Sequence, residues 1–379
     1  MNLQAKRTVI SILAMGALTS LVAGCGTTTG TSNNASSNGS SNASSSNSTA
    51  STANNASAST TSASSNQTLV LYSAQGYDQA MADAFTKATG IKVKLDDSST
   101  GPIVAKIEGE KSNPHWDVAW FDGDSTMQAL DNQGLLLQNW SPSDFGNYNS
   151  LGQSLVPSDK AYFPGGVTAA AAIGVNTKLV SPSQYPKDWS DLLSPQWKGQ
   201  VAMNDPAVSG PTFPFVAGMM QLKGTQGGEQ FFTQLKGNGL KIFRTNGVTL
   251  KALLNGQVKA IMIQDSALTS AKAKGDPIQI IYPSSGVFTL PDVVAIDKNA
   301  PDMAAAKKFV EFVLSHQGQK VMLDPKQGGG DSYFNPVITG ETPDPQRQQS
   351  GIKWITVSPT KAAQDQSQIQ SWFHNNIVQ

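Results

Sequence analysis

The chain has 379 residues with 27 basic and 27 acidic side chains, long enough for two hydrophobic cores and without the excess charge that would neutralise a nucleic acid. Its one cysteine, Cys25, excludes a disulfide within the chain, a cysteine-based metal site and a redox pair of thiols. Without residues 1–24, which include Lys6 and Arg7, the net charge is about −2, too small to imply an acidic or basic face.

Lys6 and Arg7 are followed by an apolar run, Thr8 to Val22, that ends in Val22-Ala23-Gly24-Cys25. A positive head, a short apolar stretch and small residues before a cut predict an export signal over 1–24 rather than a spanning helix. The run resembles a bacterial lipoprotein signal, which implies that Cys25 is lipidated and becomes the first residue of the mature chain. From Gly26 to Asn66 the composition is Gly, Ser, Thr, Asn and Ala only. Such a segment has no apolar face to bury, so 25–66 is expected to be a flexible, lipid-anchored linker.

Foldable sequence starts at Thr68-Leu69-Val70-Leu71-Tyr72, a β-type run. Ala80, Met81, Ala84, Phe85 and Ala88 recur at helical spacing until Gly90, and Ile91, Val93 and Leu95 then alternate with polar residues as in a strand. Ile103, Val104 and Ile107 predict a second helix, Asp117 to Phe121 a buried strand, and Met127 to Gly134 a third helix. This alternation predicts right-handed crossovers and a mainly parallel sheet flanked by helices. Further on, Val167–Val175, Gln200–Met203, Ala260–Ile263, Ile278–Tyr282 and Leu290–Ile296 read as strands. Phe213–Leu222, Gly227–Leu235 and Val248–Leu254 read as helices, and Met303–Met322 as one long helical tract. The segment after Gly340 is polar, with helical character near Ile369–Ile377.

The order and spacing of several segments resemble the extracellular solute-binding proteins of the type II periplasmic-binding fold, in the branch of ferric-iron, phosphonate, sugar-phosphate and polyamine receptors. They are Leu69-Val70-Leu71-Tyr72-Ser73, Ala82 to Val93, Asp117-Val118 with the Leu130–Leu136 helix end, Leu253 to Val258, and the helix from Ala304 to Met322. The resemblance covers residues 68 to 336. It implies an α/β clamp of two lobes joined by two crossing hinge segments, with residues 67–165 starting the first lobe, 166–286 forming the second, and 287–379 returning to the first and adding C-terminal helices. It also implies a monomer that needs no cofactor, works outside the cytoplasm, and delivers a small solute to an ABC permease.

In such sheets ligands sit beyond the C-terminal ends of the strands. The loops there are rich in hydroxyls: Ser73, Gln75 and Tyr77; Ser99 and Thr100; Asp122 and Ser125; Ser209, Gly210 and Thr212; Asn246 and Thr249. Placed at helix starts they are either ordinary caps or a binding surface for an anion. Asp265, with Ser266, can hold a ligand amine, or it can cap a helix or form a hinge salt bridge. Arg244 can grip a phosphonate or carboxylate, or be a surface arginine. The expectation is a small anion or zwitterion, such as a phosphonate or phosphate ester, with ferric iron or a polyamine as the alternative.

The iron-binding relatives carry a histidine in the first loop and adjacent tyrosines in the second lobe. Here Gly76 stands in the region of that histidine, and Ser266 and Ala267 stand at the tyrosine pair, which argues against iron. His115, His316 and His374 are expected on the surface, and no metal site is expected. Asp122 and Asp124 lack the other ligands of a calcium loop. No Gly-x-Ser-x-Gly, His-Glu-x-x-His or Gly-x-x-x-x-Gly-Lys pattern argues for an enzyme, so a hydrolase or a sensing subunit on the same fold are the other classes considered.

Overall fold

A computed structural model describes residues 67–379. The signal at 1–24, the linker at 25–66 and Cys25 lie outside the described residues.

The first half follows the predicted alternation. Strand β1 (Thr68–Ser73) leads to helix α1 (Asp78–Thr89), β2 (Lys92–Asp97) to α2 (Thr100–Glu110), and β3 (Val118–Asp122) to α3 (Asp124–Asn132). Met81 and Phe85 are buried on the inner face of α1, and Phe85 meets Phe309 and Phe312 edge-on. Helix α1 stops at Gly90 in the left-handed conformation, φ 75°, where the Gly90 N–H donates to Thr86 O at 2.8 Å. A side chain there would strain the backbone, so glycine ends the helix.

After α4 (Ser150–Leu155) the chain crosses between lobes. β4 (Phe163–Ala169) and β5 (Ala172–Asn176) belong to different sheets, although they read in sequence as one strand, Val167–Val175. The apolar run is continuous because both parts are buried, and the change of sheet falls at Ala170 and Ala171. The second lobe adds β6 (Val201–Asn204), α5 (Thr212–Lys223), α6 (Thr225–Gly237), β7 (Lys241–Phe243), α7 (Asn246–Leu254), β8 (Ala260–Ile263), α8 (Asp265–Ala273) and β9 (Ile278–Ile281). The return is β10 (Val287–Ile296), fully buried along its length.

The tract expected as one helix breaks into α9 (Met303–Leu314) and α10 (His316–Leu323). Ser315 is extended, and its Oγ accepts from the Gly318 N–H. A Cβ on Gly318 would stand 2.1 Å from Phe312 O, so the chain turns this corner only with glycine there. Then come α11 (Pro325–Gly328), β11 (Asn335–Pro336), β12 (Trp354–Ile355) and α12 (Pro359–Phe373).

Among the described residues the strands form two sheets, ordered β11-β4-β10-β3-β1-β2 with β12 on β10, and β7-β6-β8-β5-β9. β1 pairs in parallel with β2 and β3, and β6 with β7 and β8. The crossing strands run the other way: β10 is antiparallel to β3 and β4, and β5 to β8 and β9. Both sheets are thus mixed rather than mainly parallel, because each crossing strand enters its sheet against the direction of the crossover units.

The segment after Gly340 is integral to the fold. β12 pairs with β10, α12 packs on α3 of the first lobe and α5 of the second, and Phe373 meets Phe232 edge-on at 5.4 Å. Arg347 is fully buried; its Nη2 donates to Asp265 Oδ2 at 2.7 Å and its Nη1 to Tyr333 O. Removing one partner of a buried ion pair leaves the other unpaired, at a cost of about 3–5 kcal/mol. Arg347→Met should therefore lower the urea unfolding midpoint strongly, and adding Asp265→Asn should recover part of the loss. Equal midpoints for the single and double variants would show that the pair carries no such weight.

Candidate functional site

Between the two sheets lies a cavity of about 450 Å³. The loop after β1 and the start of α1 line it from Ala74 to Gln79, the loop after β2 from Asp97 to Thr100, and the end of β3 through Asp122. The second lobe contributes Ser209–Pro211, Thr245–Gly247 and Gln264, and the return segment adds Asp331 and Phe334. The starts of α1, α2 and α7 are among these; at α7 the N–H groups of Asn246 and Gly247 have no partner among the described residues, whereas at α2 Gly101 and Ile103 donate to Val208 O and Ser99 O and Pro102 has no N–H.

Of the residues expected from sequence, Gln75, Tyr77, Ser99, Thr100, Asp122, Ser209, Gly210 and Asn246 line the cavity. The others lie outside the lining. Ser73 is buried, and its Oγ accepts the Gln75 N–H at 3.2 Å, which shapes the first loop. Ser125 bonds within α3 to Asp124, and Thr212 is buried at the start of α5. Thr249 donates to Asn204 Oδ1 at 2.5 Å, while Asn204 Nδ2 donates to Asn246 Oδ1 at 2.6 Å and Ser209 Oγ at 3.2 Å. Thr249 thus positions two lining residues through Asn204. Ser266 is buried with its Oγ unpartnered.

Asp265 corrects one expectation: it is no ligand for an amine. One carboxylate oxygen accepts the Ala169 N–H at 2.9 Å, and the other accepts Arg347 and Tyr282 OH. It is the hinge salt bridge of the two alternatives, and its partner comes from the C-terminal segment. Arg244 is exposed at the end of β7 and is not part of the lining. His115, His316 and His374 are exposed, as expected.

Four carboxylates dominate the site, Asp122 expected from sequence and three others missed there. Asp78, Asp97, Asp122 and Asp331 all line the cavity, whereas none of the lining residues is Lys, Arg or His. Asp122 is buried; Gln75 Nε2 donates to one of its oxygens at 3.2 Å and Gln264 Nε2 to the other at 2.9 Å. Burial, and then the charge of Asp292, push its carboxyl up to about 8. Burial and then Asp97 raise Asp78 to about 6, and its Oδ2 is buried without a partner. Asp97 is raised by burial and then Asp96. Burial also raises Asp331, which Lys274 offsets in part. Each shift disfavours the charged form, as happens where anions crowd a desolvated site whose lining carries no cation.

Asp97 and Gln264 sit at strand ends next to loops already marked by their hydroxyls, so position could have found them. Asp331 follows Gly328-Gly329-Gly330, far along the chain from Gly76, and no periodicity announces it. Gly329 and Gly330 take positive φ, and a Cβ on Gly330 would stand 2.6 Å from Gly76 O. The glycines therefore let this loop lie against the first one and bring Asp331 to the cavity. Tyr77 is wedged edge-on between Trp120 and Phe334, and its OH donates to Asp292 at 2.8 Å. Among the described residues no group of three or more His, Cys, Asp or Glu side chains is arranged to hold a metal ion.

Comparison with known proteins agrees with this clamp. Residues 80–367 match the family model of bacterial extracellular solute-binding proteins, and the chain belongs to that family. It is 26% identical over 265 residues to the major ferric iron-binding protein of Neisseria meningitidis serogroup B, covering 67% of this chain and 78% of the relative. It is 24% identical over 248 residues to a putative 2-aminoethylphosphonate-binding periplasmic protein of Salmonella paratyphi A, covering 64% and 70%. Among solved structures it resembles the periplasmic binding protein AfuA from Actinobacillus pleuropneumoniae with fructose-6-phosphate bound, at TM-score 0.76 and 22% identity over 83% of this chain and 99% of that one. These neighbours share the two-lobe fold.

Asp122 titrates near 8 when folded and near the ordinary carboxylate value when unfolded. Between about pH 4 and pH 8 the folded state then binds more protons, so stability falls as pH rises through that window and levels off above it. Urea unfolding at steps from about pH 5 to 9 should show this fall, and Asp122→Asn should remove its upper part, above about pH 7, while Asp78, Asp124 and Asp292, raised to about 6, 7 and 6, keep the lower part. A slope that survives the substitution unchanged would place the titration elsewhere.

Proposed function

We propose that this receptor captures a small organic solute bearing an ammonium group, outside the cytoplasm, and hands it to an ABC importer. The observation that carries the reading is the lining: four carboxylates around one cavity, with no cationic side chain among them. A solute that is only an anion would meet like charge on several sides, which disfavours the phosphate esters expected from sequence. A solute with both an amine and an anionic or hydroxyl group fits better. Its ammonium would neutralise Asp78, Asp122 or Asp331, and the start of α7 would donate to the rest.

Ferric iron suits the site less well. The carboxylates are spread around the cavity rather than gathered in the geometry of a metal site. Tyr77 and Tyr282, the phenols nearby, already donate to Asp292 and Asp265. The aminoethylphosphonate-binding relative supports a solute that carries an amine. The chain is read as a binding protein that returns its solute unchanged.

A thermal-shift panel of polyamines, amino acids, aminophosphonates, phosphate esters and ferric citrate tests this on the purified chain. Every stabilising compound should carry an amine, and Asp331→Asn should weaken the best of them about tenfold, equivalent to roughly 1.4 kcal/mol. Stabilisation by phosphate esters or ferric citrate, with none by any amine, would overturn the reading.

The signal and linker support capture at the membrane surface, with Cys25 as the lipidated residue. In cells fed an alkyne fatty acid, the wild-type chain should take up label and fractionate with membranes, while Cys25→Ser should do neither. Label retained by the Cys25→Ser variant would rule out this anchor.

A further inference from the structure

Two glycines meet the opposite lobe at close range beside the cavity. Gly101, in the first turn of α2, donates its N–H to Val208 O at 3.1 Å, in the loop between β6 and α5. A Cβ on Gly101 would stand 2.1 Å from Ala207 O, a backbone atom that cannot swing aside. Gly210 makes the reverse approach: a Cβ there would stand 2.3 Å from Thr100 Oγ1 and 2.8 Å from Asp122 O.

Neither glycine has a positive φ. Backbone conformation therefore does not require glycine at either position, and in an isolated helix alanine at 101 would be favoured. What excludes a side chain is the other lobe alone. The loop that receives Gly101 is held from behind, since Gln370 Nε2 on α12 donates to Pro206 O at 3.2 Å. Two further bonds join the lobes beside the cavity, from Gln264 Nε2 to Asp122 and from Ser270 Oγ to Gly330 O.

We infer that Gly101 and Gly210 are reciprocal keys of a latch that closes the clamp, and that they set solute affinity through closure. The bond from Gly101 to Val208 exists only while the lobes are together, so it adds to the closed form whatever the solute is. Apparent affinity scales with the fraction of molecules in the competent form. A methyl group at either position holds the lobes apart and lowers that fraction.

The test is a pair of spin labels on the full chain, at Lys92→Cys on β2 and Lys272→Cys on α8, both exposed, with Cys25→Ser so that only the introduced thiols react. Distances are measured by double electron–electron resonance in the parent, Gly101→Ala, Gly210→Ala and Gly109→Ala. Gly109 lies in the same helix with open space around it, so it carries the helix-propensity change without the clash. Gly101→Ala and Gly210→Ala should shift the distribution to longer distances and lower the closed-to-open ratio at least about tenfold, while Gly109→Ala matches the parent. Parent-like distributions for both Gly101→Ala and Gly210→Ala would overturn the latch, as would an equal shift with Gly109→Ala. Unfolding midpoints measured alongside separate opening from loss of fold. The outcome is independent of the solute class, so it stands or falls apart from the amine reading.

Discussion

The carboxylate of Asp292 holds the place where the lobes join. It lies on the crossing strand β10, at an irregularity in the pairing with β4, where the register shifts between Asp292 and Val293. One of its oxygens accepts the N–H groups of Gly165 and Gly166 at 2.7 and 2.9 Å, and the other accepts Tyr77 OH. A bulge leaves backbone donors outside the ladder, and here one buried side chain satisfies them. A Cβ on Gly165 would stand 2.5 Å from Asp292 Oδ1, so the strand must carry glycine for the carboxylate to fit. Through Tyr77 the same group fixes the first loop of the cavity, so the crossing strand β10 and the site share one anchor.

That anchor has a consequence for charge. Asp292 is directly opposite Asp122 across the β3–β10 pair. Like charges facing each other on a sheet are unfavourable, and burial sharpens the effect. Asp292 is relieved by its donors and rises only to about 6, while Asp122, with two glutamine amides, rises to about 8. At neutral pH the proton therefore rests mainly on Asp122, and the negative charge is held by Asp292, where donors surround it.

The parts legible in sequence were those that obey local periodicity or the strand-end rule. The helix ending at Gly90, and the loops Ser98–Thr100 and Ser209–Gly210, fell where an α/β sheet places its ligand side. Illegible parts depend on contacts between distant segments. The run from Val167 to Val175 changes sheet without any polar residue at the crossing, because both sheets bury it. Ser315 breaks a helix whose apolar periodicity continues through it. Asp265 stays open in sequence between ligand, helix cap and salt bridge until Arg347, from a polar tail, is seen against it in the core. Asp331 reaches the cavity only because two glycines let its loop lie against Gly76.

On the amine reading, closure and charge selection would act as a single device. Bringing the lobes together would then move Asp122, Asp78 and Asp331 out of water, which raises the free energy of every ionised carboxylate left unpaired. The backbone bond at Gly101 and the amide of Gln264 favour the same movement without regard to charge. The balance between these opposed terms decides when the clamp stays shut. An ammonium group removes the unfavourable term and leaves the latch unopposed, whereas a neutral or anionic solute leaves it in place or adds to it. Selectivity on this reading comes less from any one contact than from the cost of shutting an acidic cleft over the wrong charge.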